Sequence, residues 1–180
     1  MTYGHWGKAL RVDLTQGTVR TEDLDPAFLR RYVGGWGFIA HTLLKEVPAG
    51  ADPLGPENVL IFATGPVTGQ PLAGGGRHMV GAKSPLTGGF GASEAGGYFG
   101  AELKRAGWDM VIITGASPTP VYLAIRDDEA TLHPAEHLWG LETLECEHRL
   151  HEELGDRRIR VAQCGIAGEN LALVANVIHD

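Results

Sequence analysis

Runs of apolar residues, broken by turn residues, divide the chain into short elements. "WGKALRVDL" (Trp6–Leu14) reads as a strand, "TQGTV" as a turn and "VRTEDL" as the returning strand of a hairpin. Asp25-Pro26 marks a helix start. In "GWGFIAHTLLKEV", Trp36, Ile39, Leu43 and Val47 recur at spacings of 3, 4 and 4, which is one face of a helix. "PAGADPLGPEN" is a loop by its Pro, Gly and Asp content, and "VLIFATG" is a continuous apolar run suited to a buried strand. "RHMVGAK" and "WDMVIITG" read as further strands, joined by a glycine-rich segment.

The order then recurs. "TPVYLAIRDDEATLHP" reads as strand, Asp-Asp turn and strand. "LETLECEHRLHEELG" reads as a helix with Thr143, Cys146, Leu150 and Leu154 spaced 3, 4 and 4. "IRVAQCGIAGEN" loosely matches "VLIFATGPVTGQ", with Gly165 and Gly168 in place of Gly65 and Gly69. The pattern predicts an α+β fold: a duplicated, mostly antiparallel β base with short helices. It forms a single domain over 1–180, with repeats at about 3–69 and 108–180 joined by glycine-rich 70–107.

Bulk composition narrows the function classes. The 180 residues suffice for one domain with a core. A net charge of −7 excludes the basic footprint of general nucleic-acid binding. No apolar run approaches the ~18 residues of a membrane span, and the N-terminus has no signal-peptide pattern. Cys146 and Cys164 make no CxxC, so a reduced cytoplasmic protein is expected.

Glycine changes the picture. The chain has 26 glycines, and Ala63–Gly100 alone holds twelve, together with Arg77, Lys83 and one acidic residue, Glu94. Glycine lets backbone N–H groups surround an anion, and arginine adds bidentate phosphate recognition. Two familiar loops fail on detail. A P-loop needs Lys directly after its second Gly, whereas Ala82 separates Gly81 from Lys83. "GFGASE" carries Glu94 where a dinucleotide fingerprint needs Gly. On pattern alone, tight turns without a ligand explain the segment equally well. The eight histidines are scattered, His148 and His151 fit an exposed helix face, and Asp127-Asp128 fits a turn. Neither cysteine has the surroundings of a nucleophile, and Ser84 and Ser93 lack a G-x-S-x-G elbow.

The ordered phrases "GKALRVDLTQG", "YVGGWGFIAHTLLKEVP", "FATGPVTG", "GRHMVGAKSPLTGGFG", "SEAGGYFGAELKRAGWDMVIITG", "HLWG" and "CGIAGENL" resemble the N-terminal domain of the tungsten-containing aldehyde ferredoxin oxidoreductases. The resemblance covers Tyr3 to Asp180. It implies a base domain on which a tungsten-bispterin lies, its phosphates joined through magnesium. Two later helical domains cover it. It implies cofactor-binding roles for Arg77, Glu94, Ala95, Gly96 and Gly97, with Lys83 adding positive potential. Glu94 falls where the family has asparagine in "S-N-[SA]-G-G", and its backbone carbonyl is the implied magnesium contact.

The implied activity is oxidation of aldehydes to carboxylic acids, with electrons leaving through a [4Fe–4S] cluster to ferredoxin. The cluster ligands and the catalytic acid/base groups belong to the helical domains, so no catalytic residue is assigned in this chain. The family's second pterin turn would follow "NVIHD". The chain by itself is therefore expected to hold no tungsten and to be inactive. It is expected to associate with itself or with a partner chain supplying helical domains. Two alternatives stay open: the base of a related tungsten enzyme such as an aromatic acyl-CoA reductase, and a non-catalytic scaffold module.

Overall fold

A computed structural model describes residues 3–179. The elements run β1 (Lys8–Asp13), β2 (Thr18–Asp23), α1 (Pro26–Tyr32), α2 (Gly35–Glu46), β3 (Val59–Ala63), β4 (His78–Lys83), β5 (Phe90–Ala95), α3 (Phe99–Arg105), β6 (Met110–Thr114), β7 (Val121–Arg126), β8 (Glu129–Pro134), α4 (Thr143–Leu154), β9 (Ala162–Gln163), α5 (Gly165–Glu169) and β10 (Ile178–His179). Six strands form one sheet in the order β2-β1-β6-β3-β4-β5. Only the β1–β6 pair is parallel, so the fold is α+β and mostly antiparallel, as expected.

The central strands are apolar throughout because both faces of the sheet are covered. Strand side chains alternate between faces. Ala9, Val59, Ile61, Ala63, Met110 and Ile112 therefore point to the side on which Leu29 of α1 and Phe38, Ile39 and Leu43 of α2 pack. Leu10, Val12, Phe62 and Val111 point to the other side, against Leu103 of α3, Trp108 and the β7–β8 hairpin. This is why "VLIFA" reads as a continuous run rather than an alternation. Ile61 is fully buried at the middle of this stack. Ile61→Ala is expected to cost ~2–5 kcal/mol of unfolding free energy, read as a lowered midpoint in urea denaturation followed by circular dichroism.

The helices start where local chemistry dictates. Asp25 caps α1 by accepting from the Ala27 N–H at 2.9 Å, and Pro26 occupies its first turn. The buried face of α2 is Phe38, Ile39, Thr42 and Leu43, so Ile39 and Leu43 of the expected 3-4-4 series are in the core and Val47 packs against it. Trp36, the first residue of that series, is instead about half exposed. Gly81, in mid-strand, is required there: a Cβ would stand 2.5 Å from the Ile39 Cγ2 of α2.

The order hairpin, helix, strand and glycine turn recurs in both halves, but the pairing does not recur among the described residues. β3 lies between β6 and β4, whereas β9 has two half-buried residues and pairs only with β10. Segment 70–107 is more than a connector, since it contributes β4, β5 and α3. β6, from the expected second repeat, inserts between β1 and β3. A strand apolar on both faces is stable only in the middle of a covered sheet.

Candidate functional site

At one end of the sheet, three chain segments meet around an open cleft of about 290 Å³. The α1–α2 junction supplies Val33, Gly34, Gly35 and Trp36, and the end of β3 with the turn after it supplies Ala63, Gly65, Pro66, Val67 and Thr68. Gly74, Arg77, His78, Met79 and Glu94 complete the wall. Gly74–Gly100 does not form this surface alone: residues 84–89 turn away as the β4–β5 hairpin loop, closed by Ser84 N–H to Gly89 O at 2.8 Å.

The junction is built by backbone approach. Val33, Gly34 and Gly35 all have positive φ (64°, 145° and 46°). A Cβ on Gly34 would lie 2.7 Å from the Thr64 carbonyl oxygen, and the Gly35 N–H bonds that same oxygen at 3.1 Å. Glycine is therefore required for α2 to start against the end of β3. Val33, a β-branched residue with left-handed backbone, is a strained position on the cleft rim.

Arg77 is held by its backbone, and its half-exposed tip pairs with Glu94. The buried Thr68 hydroxyl accepts the Gly65 N–H at 2.9 Å and donates to the Arg77 carbonyl at 2.8 Å. This joins the two turns that flank the cleft. A Cβ on Gly76 would stand 2.6 Å from the Gly97 carbonyl oxygen, so the backbones on either side of Arg77 and Gly96 touch. The antiparallel register sets Ala95 opposite His78 and Glu94 opposite Met79. Arg77 is two residues from Met79, so it shares a sheet face with Glu94 as a diagonal neighbour. Its Nη1 reaches the Glu94 Oε1 at 3.1 Å, with the side chains 57% and 40% exposed.

The structure thus gathers Arg77, Glu94, Ala95, Gly96 and Gly97 in one place. It does not bring Lys83 there. Lys83 ends β4, five residues and ~17 Å along the strand from His78. Its Nζ donates to the Ala51 carbonyl at 2.6 Å, and its backbone is clasped by Asn58. The extended strand separates the two cations, and Lys83 pins the 51–58 loop instead.

Sequence reasoning missed Gly34, Gly35, Trp36, Thr68 and Met79 as cleft residues. The adjacent glycines of "VGGWG" and the Thr-x-x-x-Thr-Gly of "TGPVTG" were the available signals. Among the described residues no group of three or more His, Cys, Asp or Glu could hold a metal ion. The cleft offers an accessible guanidinium, an apolar floor and glycine-lined walls. That arrangement suits a planar ligand carrying phosphate, not a bare ion.

The chain is thus an α+β domain with a glycine-walled, arginine-bearing cleft at one end of its sheet. The profile of the aldehyde ferredoxin oxidoreductase N-terminal domain matches residues 9–180. The tungsten-containing aldehyde ferredoxin oxidoreductase of Pyrococcus abyssi is 48% identical over 178 residues, covering 99% of this chain and 29% of that protein. The aliphatic sulfonate oxidoreductase WOR-like subunit of Pyrococcus furiosus is 37% identical, covering 84% of this chain and 25% of that protein. Among solved structures, the active site complex BamBC of benzoyl coenzyme A reductase with 1,5-dienoyl-CoA superposes with a TM-score of 0.96 at 39% identity. It covers 99% of this chain and 27% of that one. The chain belongs to the aldehyde ferredoxin oxidoreductase family and corresponds to its N-terminal domain. It spans 29% of the length of its curated aldehyde ferredoxin oxidoreductase relatives. No helix among the described residues is long and apolar enough to cross a membrane.

Proposed function

We propose that this chain is the cofactor-holding base of a tungsten oxidoreductase that converts aldehydes to carboxylic acids. The observation that carries the reading is a cleft walled by Gly34, Gly35, Gly65 and Gly74 that bears Arg77 and Glu94, with Ala95, Gly96 and Gly97 following Glu94 beside it. These residues fit a tungsten-bispterin. Arg77 directs a half-exposed guanidinium where a pterin phosphate would lie. Nothing but Arg77 side-chain atoms, at 3.8 Å and beyond, would meet a Cβ on Gly96, so backbone is open to a flat ring there. Trp36, Val67 and Met79 give apolar surface.

When bound, the tungsten group supplies the two-electron redox chemistry. The protein supplies binding, orientation and exclusion of water. Arg77 neutralises phosphate charge, and Thr68 fixes the Arg77 backbone so that the guanidinium reaches from a constant position. The Glu94 carboxylate neutralises Arg77 before the cofactor arrives. Its backbone carbonyl is the proposed contact to the magnesium that joins the phosphates. An iron–sulfur cluster and ferredoxin would carry electrons away through the parts of the protein that this chain does not span.

The solved benzoyl coenzyme A reductase complex favours a second reading, reduction of an aromatic acyl-CoA ring. The full-length polypeptide, purified from its native host, decides between them. Stoichiometric tungsten and pterin with aldehyde-dependent viologen reduction supports the first reading. Tungsten with turnover of benzoyl-CoA alone supports the second. A protein free of tungsten and pterin would be the scaffold module, and both readings would be wrong.

A further inference from the structure

Neither thiol of this chain belongs to the cleft. Cys146 is a half-buried residue on α4, and Cys164 is the exposed N-cap of α5. Both flanks of Cys164 touch the first residue of α4. The Gln163 side-chain amide donates to the Thr143 carbonyl at 2.9 Å. A Cβ on Gly165 would stand 2.6 Å from the Thr143 Cγ2. Cys146 lies one turn after Thr143 on the same helix face. Helical side chains lean toward the N-terminus, so its sulfur covers the turn that Thr143 begins. Cys146 also packs on the apolar cluster of Ala135, Leu138 and Leu150, which turns it inward. Glu169 of α5 anchors the same corner by accepting the Gly140 N–H at 2.9 Å.

We propose that Cys146 and Cys164 form a redox-responsive dithiol, converted by a small-molecule disulfide into an intrachain disulfide that pins α5 to α4. The exposed Cys164 thiolate attacks one sulfur of the oxidant RSSR and expels RS⁻. The Cys146 thiolate then attacks the Cys164 sulfur of the mixed disulfide and expels the second RS⁻. The two thiol protons pass to the two leaving thiolates. The two electrons lost by the cysteines reduce RSSR to two RSH. Burial of Cys146, and of the Cys164 sulfur where it lies against Gly168 of α5, holds both thiols above their ordinary range, with a smaller contribution from Glu169, so both are mainly protonated at neutral pH and exchange accelerates as pH rises.

The lock lies close to the cleft. β9 leads directly into Cys164 and pairs with β10, whose His179 ring is 4.6 Å from His78 in the cleft wall. The proposal does not depend on what the cleft binds.

The test incubates the full-length polypeptide with oxidised glutathione, alkylates remaining thiols and maps peptides without reduction. The expected product is a Cys146–Cys164 linked peptide that dithiothreitol removes, formed faster at pH ~8.5 than at neutral pH. Cys146→Ser is expected to stop at a glutathione adduct on Cys164. Independent glutathione adducts on the two wild-type cysteines without a cross-link would overturn the proposal. So would two cysteines that stay fully alkylatable after prolonged oxidation. Neither result depends on a variant folding.

Discussion

Arg77→Ala in the full-length protein is expected to weaken retention of the phosphate-bearing cofactor by about one to two orders of magnitude. A hydrogen bond to a charged group is worth ~1.5–3 kcal/mol, and each ~1.4 kcal/mol is a factor of ten. Tungsten and pterin, quantified per mole of purified protein, should fall together. Arg77→Lys should recover only part of the loss, because an ammonium cannot make the planar two-pronged contact. Glu94→Gln should act in the opposite direction. It removes the carboxylate that pairs with Arg77 at 3.1 Å and leaves the guanidinium to the ligand alone. Unchanged tungsten and pterin in Arg77→Ala would refute the assigned role. A protein that bound less cofactor after Glu94→Gln would show that the carboxylate contributes to binding rather than competing with it.

The largest loss of stability is expected beneath the cleft. Asp109 is fully buried and accepts from Lys104 Nζ at one oxygen and from the Gly7 N–H at the other, 2.7 Å away. His5 Nδ1 stands 3.7 Å from the Lys104-bound oxygen. Gly4 packs on Pro66, and Thr64 bonds the Asp109 carbonyl, so this buried cluster supports the turn that carries the cleft wall. Asp109→Ala strands the buried Lys104 ammonium without its partner, which costs ~3–5 kcal/mol. Asp109→Ala with Lys104→Met should recover much of that loss, because it removes the stranded charge as well. Urea denaturation of the single and double variants measures both effects. A single variant as stable as wild type would show that water reaches the site.

The same cluster sets a pH dependence. Burial, opposed chiefly by Asp109, lowers the pKa of His5 below its ordinary 6.5. The folded state therefore takes up the His5 proton less readily than the unfolded chain. Stability contributed by neutral His5 is present above pH 6.5 and is lost as pH falls below it. Burial lowers His41 in the same direction. His5→Asn should flatten part of the acid slope and leave the part due to His41.

Much of this architecture could be read from sequence. The apolar runs at residues 59–63 and 110–114, the Asp25-Pro26 cap and the two hairpins are local signals, and each formed where expected. The ordered phrases around Arg77 and Gly96 also identified the family; Gly76 and Gly100 within them mark close approaches that a side chain would block. β5 and α3 left no such trace. "FGASEA" has little apolar character and is a strand only because β4 pairs with it. "FGAELKR" is a helix of seven residues.

The sequence by itself determined which strands had to be buried and narrowed the candidate anion contacts to the glycine-rich segment around Arg77. The tertiary structure alone decided that β6 lies between β1 and β3, because hydrogen-bond pairing between distant segments has no local signature. It also decided that Lys83 turns to Ala51 and not to the cleft, and that Glu94 faces Arg77. Those outcomes depend on strand register and on how far an extended chain separates two cations. Charge and glycine content are indifferent to both.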